Sequence, residues 1–431
     1  MSGPTSGFGW LAYRLALGAG MAVAAPVFMA KKGGHYRRTL RGRIGLDLGP
    51  ADGVERLWIH AVSVGEAAVA ATLVRKLPTD LPVVLTTVTP TGQDQAAKAL
   101  KDRAEVAYLP FDLERPVRRF VERYRPRGLV LVEGDYWPLT LAQMAQRGRI
   151  AVVNGRMSDR AFKRQAKIGG VNQLFYRHVE RFGLQSEEDR RRLEQLGVPA
   201  DRLRVTGNLK YDAAEPPRRE DLESLVLGIA DGRPVIVAGS TMDGEEEPVL
   251  AAHRRLATEG TEALLIVAPR HPERWPAVAA LLEADGRPSA RRSALGEPPS
   301  PRIDVLLLDS LGELAGLYRL AQAAFIGGTL VPTGGHNPLE PARFAVPTVV
   351  GPSMENFQEM AEHFDAEGAW RRVTGAAQLG DAWGELLSDP ALARTVGGRA
   401  KALLDANRGA LDKSLDLIAP LIDDVARRRP R

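Results

Sequence analysis

Carboxylates and cations stand at the ends of apolar runs in this chain, where an open α/β sheet would deliver them to a ligand. In WIHAVSVGE (58–66), residues 57–62 are a short, mostly apolar run of strand type. Ser63-Val64-Gly65 turns the chain, and Glu66 opens an alanine-rich helical stretch through Leu77. Ligands gather at the carboxyl ends of strands in such sheets, so Glu66 sits where a general base would be needed. An acid in a first helical turn also complements the helix dipole without any ligand. The run 129–133, LVLVE, ends in Glu133, a second acid at a strand end, and GDYWP follows it. Lys210 closes VTGNLK (205–210) at the last strand of the first half. A lysine there can neutralise a departing phosphate or simply be solvated.

The second half repeats the arrangement with different chemistry. AAFIGG (323–328) reads as a strand ending in a diglycine, and TGGHNPLE (333–340) follows and starts a helix. Asn337 suits the N-cap, Pro338 the N1 position and Glu340 the N3 position of a capping box. Four glycines within nine residues expose backbone N–H groups, which suits an anion ahead of a helix N-terminus. Glu340 could then accept from a ribose diol. IVAPRHPER (266–274) ends a strand with Arg270 and His271 directed to the same crevice. A fixed guanidinium there pairs with phosphate, unless it belongs to a surface Arg–Glu network. Gly239-Ser240-Thr241 is a weaker phosphate signal. Leu311-Gly312-Glu313-Leu314 starts a helix, with Glu313 read first as a dipole-complementing acid. The seven histidines lack H-E-x-x-H spacing, and no D-x-D pair, P-loop or G-x-S-x-G elbow occurs, so no metal site is expected.

These residues need strands and helices in alternation. Strand candidates are 57–62, 82–87, 105–109, 128–132, 150–154, 181–185 and 204–206, separated by helical runs such as 66–77, 91–100, 116–124 and 187–196. That order argues a parallel sheet with helices on both faces. YDAAEPPRRED (211–221) breaks it with a proline pair and charges, and a linker is placed at 213–221. A second series follows at 234–238, 263–267, 303–308, 323–326 and 346–350, with 286–301 expected as a polar surface loop. The expectation is two doubly wound Rossmann-like domains, 44–212 and 222–431, facing a cleft that holds the active site.

Zero cysteines exclude disulfides, Cys-ligated metals and a thiol nucleophile. The net charge of +5 is uneven: residues 1–43 hold Arg14, Lys31, Lys32, Arg37, Arg38, Arg41 and Arg43 without an acid, leaving −2 for the rest. This charge adjoins the 23-residue apolar stretch 8–30, interrupted by Arg14. Its length is within the spanning range of about 17–25. Residues 1–43 are therefore expected to be an uncleaved membrane-anchor helix with a basic flank attracted to anionic lipids, the flank keeping the following domains cytoplasmic. Nucleic acid is not the expected partner, since its binders spread basic charge over a folded face. A buried N-terminal helix is the alternative.

Taken in order, WIHAVSVGE, TTVTPTGQ (86–93), YLPFD (108–112), VLVEGDYWP (130–138), VNGRMSDR (153–160), VTGNLKYD (205–212), APRHPERW (268–275), LGELAGLY (311–318) and GGHNPLEP (334–341) resemble the bacterial 3-deoxy-D-manno-octulosonic acid (Kdo) transferases. These are membrane-anchored enzymes that move Kdo from CMP-Kdo to lipid A precursor. The resemblance covers residues 58 to about 357 and the N-terminal anchor. It implies a glycosyltransferase-B fold, an inner-membrane location and an inverting reaction without metal or cofactor. It further implies that Glu66 is the catalytic base and that Glu133 and Lys210 support the transition state. CMP contacts would come from Pro269, Arg270 and neighbouring His271, from Leu311, Gly312 and Glu313, and from Asn337, Pro338, Leu339 and Glu340. Two positions depart from the family: Gly134-Asp135 where Thr-Glu is usual, and Met242 where His is frequent. The nearest competing expectation is a soluble sugar-nucleotide enzyme such as a UDP-N-acetylglucosamine 2-epimerase, which the basic N-terminal segment disfavours.

Overall fold

The computed structural model describes Trp10, Tyr13 and residues 39–167, 172–296 and 302–427. Alternating β-branched and leucine-rich runs form two sheets, each of seven strands and each parallel throughout. The first has the order β3-β2-β1-β4-β5-β6-β7. Its strands are β1 Arg56–His60, β2 Val83–Thr87, β3 Glu105–Tyr108, β4 Pro126–Val132, β5 Arg149–Gly155, β6 Arg181–Leu184 and β7 Leu203–Val205. The second runs β10-β11-β9-β8-β12-β13-β14. Its strands are β8 Val235–Thr241, β9 Leu264–Pro269, β10 Ser289–Arg291, β11 Val305–Leu307, β12 Ala323–Ile326, β13 Thr348–Val350 and β14 Arg371–Arg372. Strand order reverses between β1 and β4 in one sheet and between β8 and β12 in the other. These are the switch points where such sheets bind ligands.

The period-two alternation of side chains explains why both faces of the first sheet are apolar. Leu57, Ile59, Val130 and Val132 pack with the helix Val64–Lys76 on one face, while Trp58, Leu129 and Leu131 pack with Phe120 and Val121 on the other. Of the expected strand 57–62, only the part through His60 is strand. Val62 leaves the ladder because its N–H donates to the Glu66 carboxylate at 2.8 Å.

Two expectations are corrected. The stretch 286–301 is not wholly a loop: Ser289–Arg291 adds a strand to β11, anchored where Arg291 Nε and the Ser293 N–H each meet Asp309 at 2.8 Å. The chain also does not divide at 213–221 with everything after it in the second domain. One unit comprises the chain up to Ala213 together with the residues from Asn407 on, and Ala214–Ala406 form the other. The helix Ala410–Ala426 returns to the first sheet, burying Leu417, Ile418 and Leu421 beside Val130 and Val153. Asp212 fixes its start by accepting from the N–H groups of Gly409 and Leu411, both at 2.8 Å.

The expected anchor, 1–30, lies outside the described residues except for Trp10 and Tyr13. Among the described residues no helix is long and apolar enough to cross a membrane. Two cations of the expected basic flank are already engaged. Arg43 is buried, bonded to the Leu109 carbonyl at 3.1 Å and lying over the Phe111 ring, and Arg41 pairs with Asp47 at 2.9 Å.

Candidate active site

At the β1/β4 switch point the chain turns through Ser63, the N-cap of the helix Val64–Lys76. The Ser63 hydroxyl donates to Glu66 Oε1 at 3.0 Å, and the Val62 N–H donates to Oε2 at 2.8 Å. Glu66 occupies the N3 position, so the local capping role is real. It does not exhaust the carboxylate, because each oxygen keeps a further acceptor site. Burial pushes the Glu66 pKa up and the charge of Glu133 adds to it, against the opposing Val62 and Ser63 hydrogen bonds. The helix N-terminus therefore does not hold Glu66 at an ordinary carboxylate pKa, as its position alone suggests. A raised pKa makes it a stronger base once ionised.

Glu133 directly follows β4 with φ 66°, a strained left-handed conformation for a residue with a side chain. Asn154 at the end of β5 holds it there, donating from Nδ2 to Glu133 Oε1 at 3.3 Å. The Asn154 side-chain oxygen accepts the Leu209 N–H at 2.8 Å, and its backbone carbonyl accepts Gln185 Nε2 at 2.9 Å. Asn154 is fully buried and itself has φ 55°. One amide thus fixes both the Glu133 side chain and the short turn Leu209–Asp212 that carries Lys210. Sequence reasoning missed it, although an Asn-Gly pair at a strand end is the signal for such a conformation.

The residues at the Gly134-Asp135 departure have visible roles. Gly134 has φ 136°, and a Cβ there would lie 3.0 Å from the Tyr136 ring. A threonine would be strained in this conformation. Asp135 lies 3.2 Å from His60 Nε2 and accepts from Trp137 Nε1 at 2.6 Å. Burial raises the Asp135 pKa, but the His60 and Trp137 hydrogen bonds and the charges of His60 and Arg43 outweigh it and hold the net value low.

In the second unit β9 ends at Pro269, and the Arg270 N–H donates to the Thr241 carbonyl at 3.0 Å. The structure brings Arg270, His271, His336, Asn337 and Glu340 into one electrostatic group. Burial pushes the Glu340 pKa up, opposed by Arg343, Arg270 and Asn337. Burial, with the charges of Arg270 and His271, pushes His336 down to about 4, so it is a neutral imidazole at pH 7. Asn337 caps locally, its side-chain oxygen accepting the Leu339 N–H at 3.1 Å, while Pro338 and Leu339 are buried behind it. Leu311 and Gly312 form an exposed tip, Gly312 with φ 83°. The structure does not join Glu313 to the group: its carboxylate takes the Ser310 hydroxyl and pairs with Arg219 and Arg292, each at 3.4 Å.

The glycine-rich loop 327–335 is not the anion cradle its composition suggests. Glu245, fully buried, accepts the N–H groups of Gly328 at 2.6 Å, Thr329 at 2.9 Å, Leu330 at 2.8 Å and Met242 at 2.9 Å. The Gly334 N–H goes to Ser353 and that of Gly335 to the Gly328 carbonyl. The donors are spent within the protein, and the glycines serve close approach instead. A Cβ on Gly327 would lie 2.2 Å from the Ser240 carbonyl oxygen. Among the described residues no group of three His, Asp or Glu could hold a metal ion.

Two parallel doubly wound units, each with a switch point in its sheet, make an architecture of glycosyltransferase-B type. The architecture is similar to UDP-GlcNAc 2-epimerase from Neisseria meningitidis, with a TM-score of 0.56 at 13% identity over 85% of this chain and all of that one. That likeness shows the fold alone. The family model described as 3-Deoxy-D-manno-octulosonic-acid transferase (kdotransferase) matches residues 34–213. The 3-deoxy-D-manno-octulosonic acid transferase of Haemophilus influenzae is 34% identical, covering 92% of this chain and 94% of its own. That of Bordetella pertussis is 36% identical, covering 86% and 88%. The chain belongs to the Kdo transferase family and is a glycosyltransferase.

Proposed function

We propose that the protein transfers Kdo from CMP-Kdo to lipid A precursor (lipid IVA) at the cytoplasmic face of the inner membrane, with inversion at the anomeric carbon. The observation that carries the reading is the half-buried Glu66 carboxylate at the β1/β4 switch point, held by the Val62 N–H at 2.8 Å and the Ser63 hydroxyl at 3.0 Å, in a chain alike to Kdo transferases over nine-tenths of its length. Glu66 takes the proton of the acceptor hydroxyl. The oxygen attacks the anomeric carbon from the side opposite the phosphate, the C–O bond to phosphate breaks, and CMP leaves with the bonding pair. Glu133 on the first unit supports the developing positive charge at the sugar, and Lys210 pairs with the leaving phosphate. On the second unit Arg270 and His271 hold phosphate, and Glu340 accepts from the ribose diol. Pro269, Leu311, Gly312, Asn337, Pro338 and Leu339 would shape the nucleotide site, with Glu313 orienting the 311–313 tip through its arginines. No step needs a metal, because a nucleoside monophosphate leaves readily once paired with cations.

Mass spectrometry of lipid A precursor incubated with the protein and CMP-Kdo tests this directly. The expected product is heavier by one or more Kdo residues, with one CMP released for each. CMP release without a change in lipid mass would refute the acceptor assignment.

A further inference from the structure

The helix Asp159–Ala166 buries none of its residues. Arg160, Lys163 and Arg164 lie on it and Lys167 is its C-cap, so the four cations fall at i, i+3, i+4 and i+7 and share one face. All four are exposed, while Ala161 and Phe162 lean against the core of the first unit. Like charges at this spacing destabilise a helix, and none of the four has a side-chain partner among the described residues. Asp159, the one acid of the helix, pairs with Arg192 instead. The neighbouring helix Glu187–Gln195 shows the contrast: Arg190 meets Glu187 at 2.7 Å, Arg192 meets Glu188 at 2.9 Å, and Arg191 also meets Glu188. The helix follows closely along the chain on the strand end at the candidate site. Arg156, exposed at the end of β5, donates its N–H to the Glu133 carbonyl at 3.1 Å, and the helix begins three residues later.

We propose that this stripe binds phosphate groups on the acceptor lipid and so fixes which lipid presents its hydroxyl beside Glu66. The assignment rests on the lipid acceptor of the proposed function. Its place in the chain, in the helix that follows the strand end of Asn154, which holds Glu133, suits an acceptor presented at that site rather than bulk bilayer alone.

The test combines Arg160→Gln, Lys163→Gln, Arg164→Gln and Lys167→Gln in the full-length chain, with Arg160→Lys/Arg164→Lys as the charge-conserving control. Binding and transfer are measured in neutral detergent micelles for phosphorylated lipid A precursor and for the same lipid after phosphatase treatment. Wild type should prefer the phosphorylated lipid by about tenfold or more, from several exposed ion contacts acting together. The fourfold variant should lose that preference through KM, with kcat held within about twofold since no group in the proton transfer changes, and the control should keep it. Retention of the preference by the fourfold variant overturns the proposal, including when that variant loses binding to phosphatidylglycerol vesicles, which would make the stripe a bilayer contact. If wild type transfers no Kdo but binds the phosphorylated lipid in a way the fourfold variant does not, the transfer reading fails and the stripe stands.

Discussion

At the scale of single residues, Glu66 joins function to a cost in stability. Its pKa in the folded chain is raised above the ordinary value of 4.5. Its protonated form is therefore favoured by folding, a contribution present below the unfolded pKa and lost as pH rises through the folded one. At neutral pH the half-buried carboxylate is a liability, which its proposed role as base would account for. Glu66→Gln should lower kcat by about 10²–10⁴-fold while raising the melting temperature at pH 7, an advantage that shrinks in acid. The wild-type rate should fall on acidification through a pKa above the usual glutamate range, a limb that the variant lacks. A variant with wild-type turnover would rule out Glu66 as the base. Asn154 acts at one remove. Asn154→Ala should lower kcat by about tenfold or more with a smaller change in KM, because a lost charged hydrogen bond is worth about 1.5–3 kcal/mol. In a Glu133→Gln background the same change should cost much less, and equal losses in both backgrounds would show that Asn154 does not act through Glu133. Arg270→Ala and Glu340→Ala should each weaken CMP binding by about tenfold or more. Calorimetry giving unchanged affinity for both would move the donor site elsewhere.

At the scale of elements, what was legible depended on whether the signal was local. Glu66, Glu133 and Pro269-Arg270 could be placed at strand ends because apolar runs of strand length stop at them. Glu245 could not, since Glu245-Glu246-Glu247 reads as acids favoured near a helix start, and nothing local says that one carboxylate is buried. Its four N–H partners lie at Met242 and across a gap of more than eighty residues at 328–330. That the helix Ala410–Ala426 belongs to the first unit was not legible. An apolar stripe shows that a helix packs, not which sheet it packs on, and the deciding contact is the Asp212 carboxylate beside the chain crossing. Strand β10 was missed because Ser289-Ala290-Arg291 has one small apolar residue between two polar ones and pairs as a strand with β11. Glu245→Ala should unfold the 327–335 loop, since each buried donor left without a partner costs about 1–3 kcal/mol. The expected readouts are a lower melting temperature for the second unit and weaker CMP binding. An unchanged melting profile would mean that other contacts hold the loop.

At the scale of the whole molecule, one truncation of the N-terminal segment would mix its proposed insertion into a membrane with its packing on the first unit. Its apolar run predicts insertion into a membrane, yet Trp10 is buried against Leu139, Ala142 and Leu174 of the first unit. The Tyr13 hydroxyl donates to Asp112 at 2.7 Å, and the same carboxylate accepts the N–H groups of Leu139 at 3.0 Å and Thr140 at 2.7 Å. Asp112 thereby caps the helix Pro138–Met144, which follows directly on Asp135 and Trp137. Deleting residues 1–30 should therefore not leave the first unit untouched: it should release protein from membranes and also lower its melting temperature. Tyr13→Phe separates the two effects, costing about 1.5–3 kcal/mol of stability with no change in membrane retention. Basic residues near the surface add about 1 kcal/mol each toward anionic lipid. Arg43 is buried and Arg41 is paired, so the truncated form should bind weakly and come off in about 0.5 M salt, where such contacts are screened. Full-length protein should stay in the membrane pellet through that wash and require detergent. Release of the full-length chain by salt alone, with the truncation reducing the melting temperature, would identify the segment as a buried helix of the first unit rather than an inserted anchor.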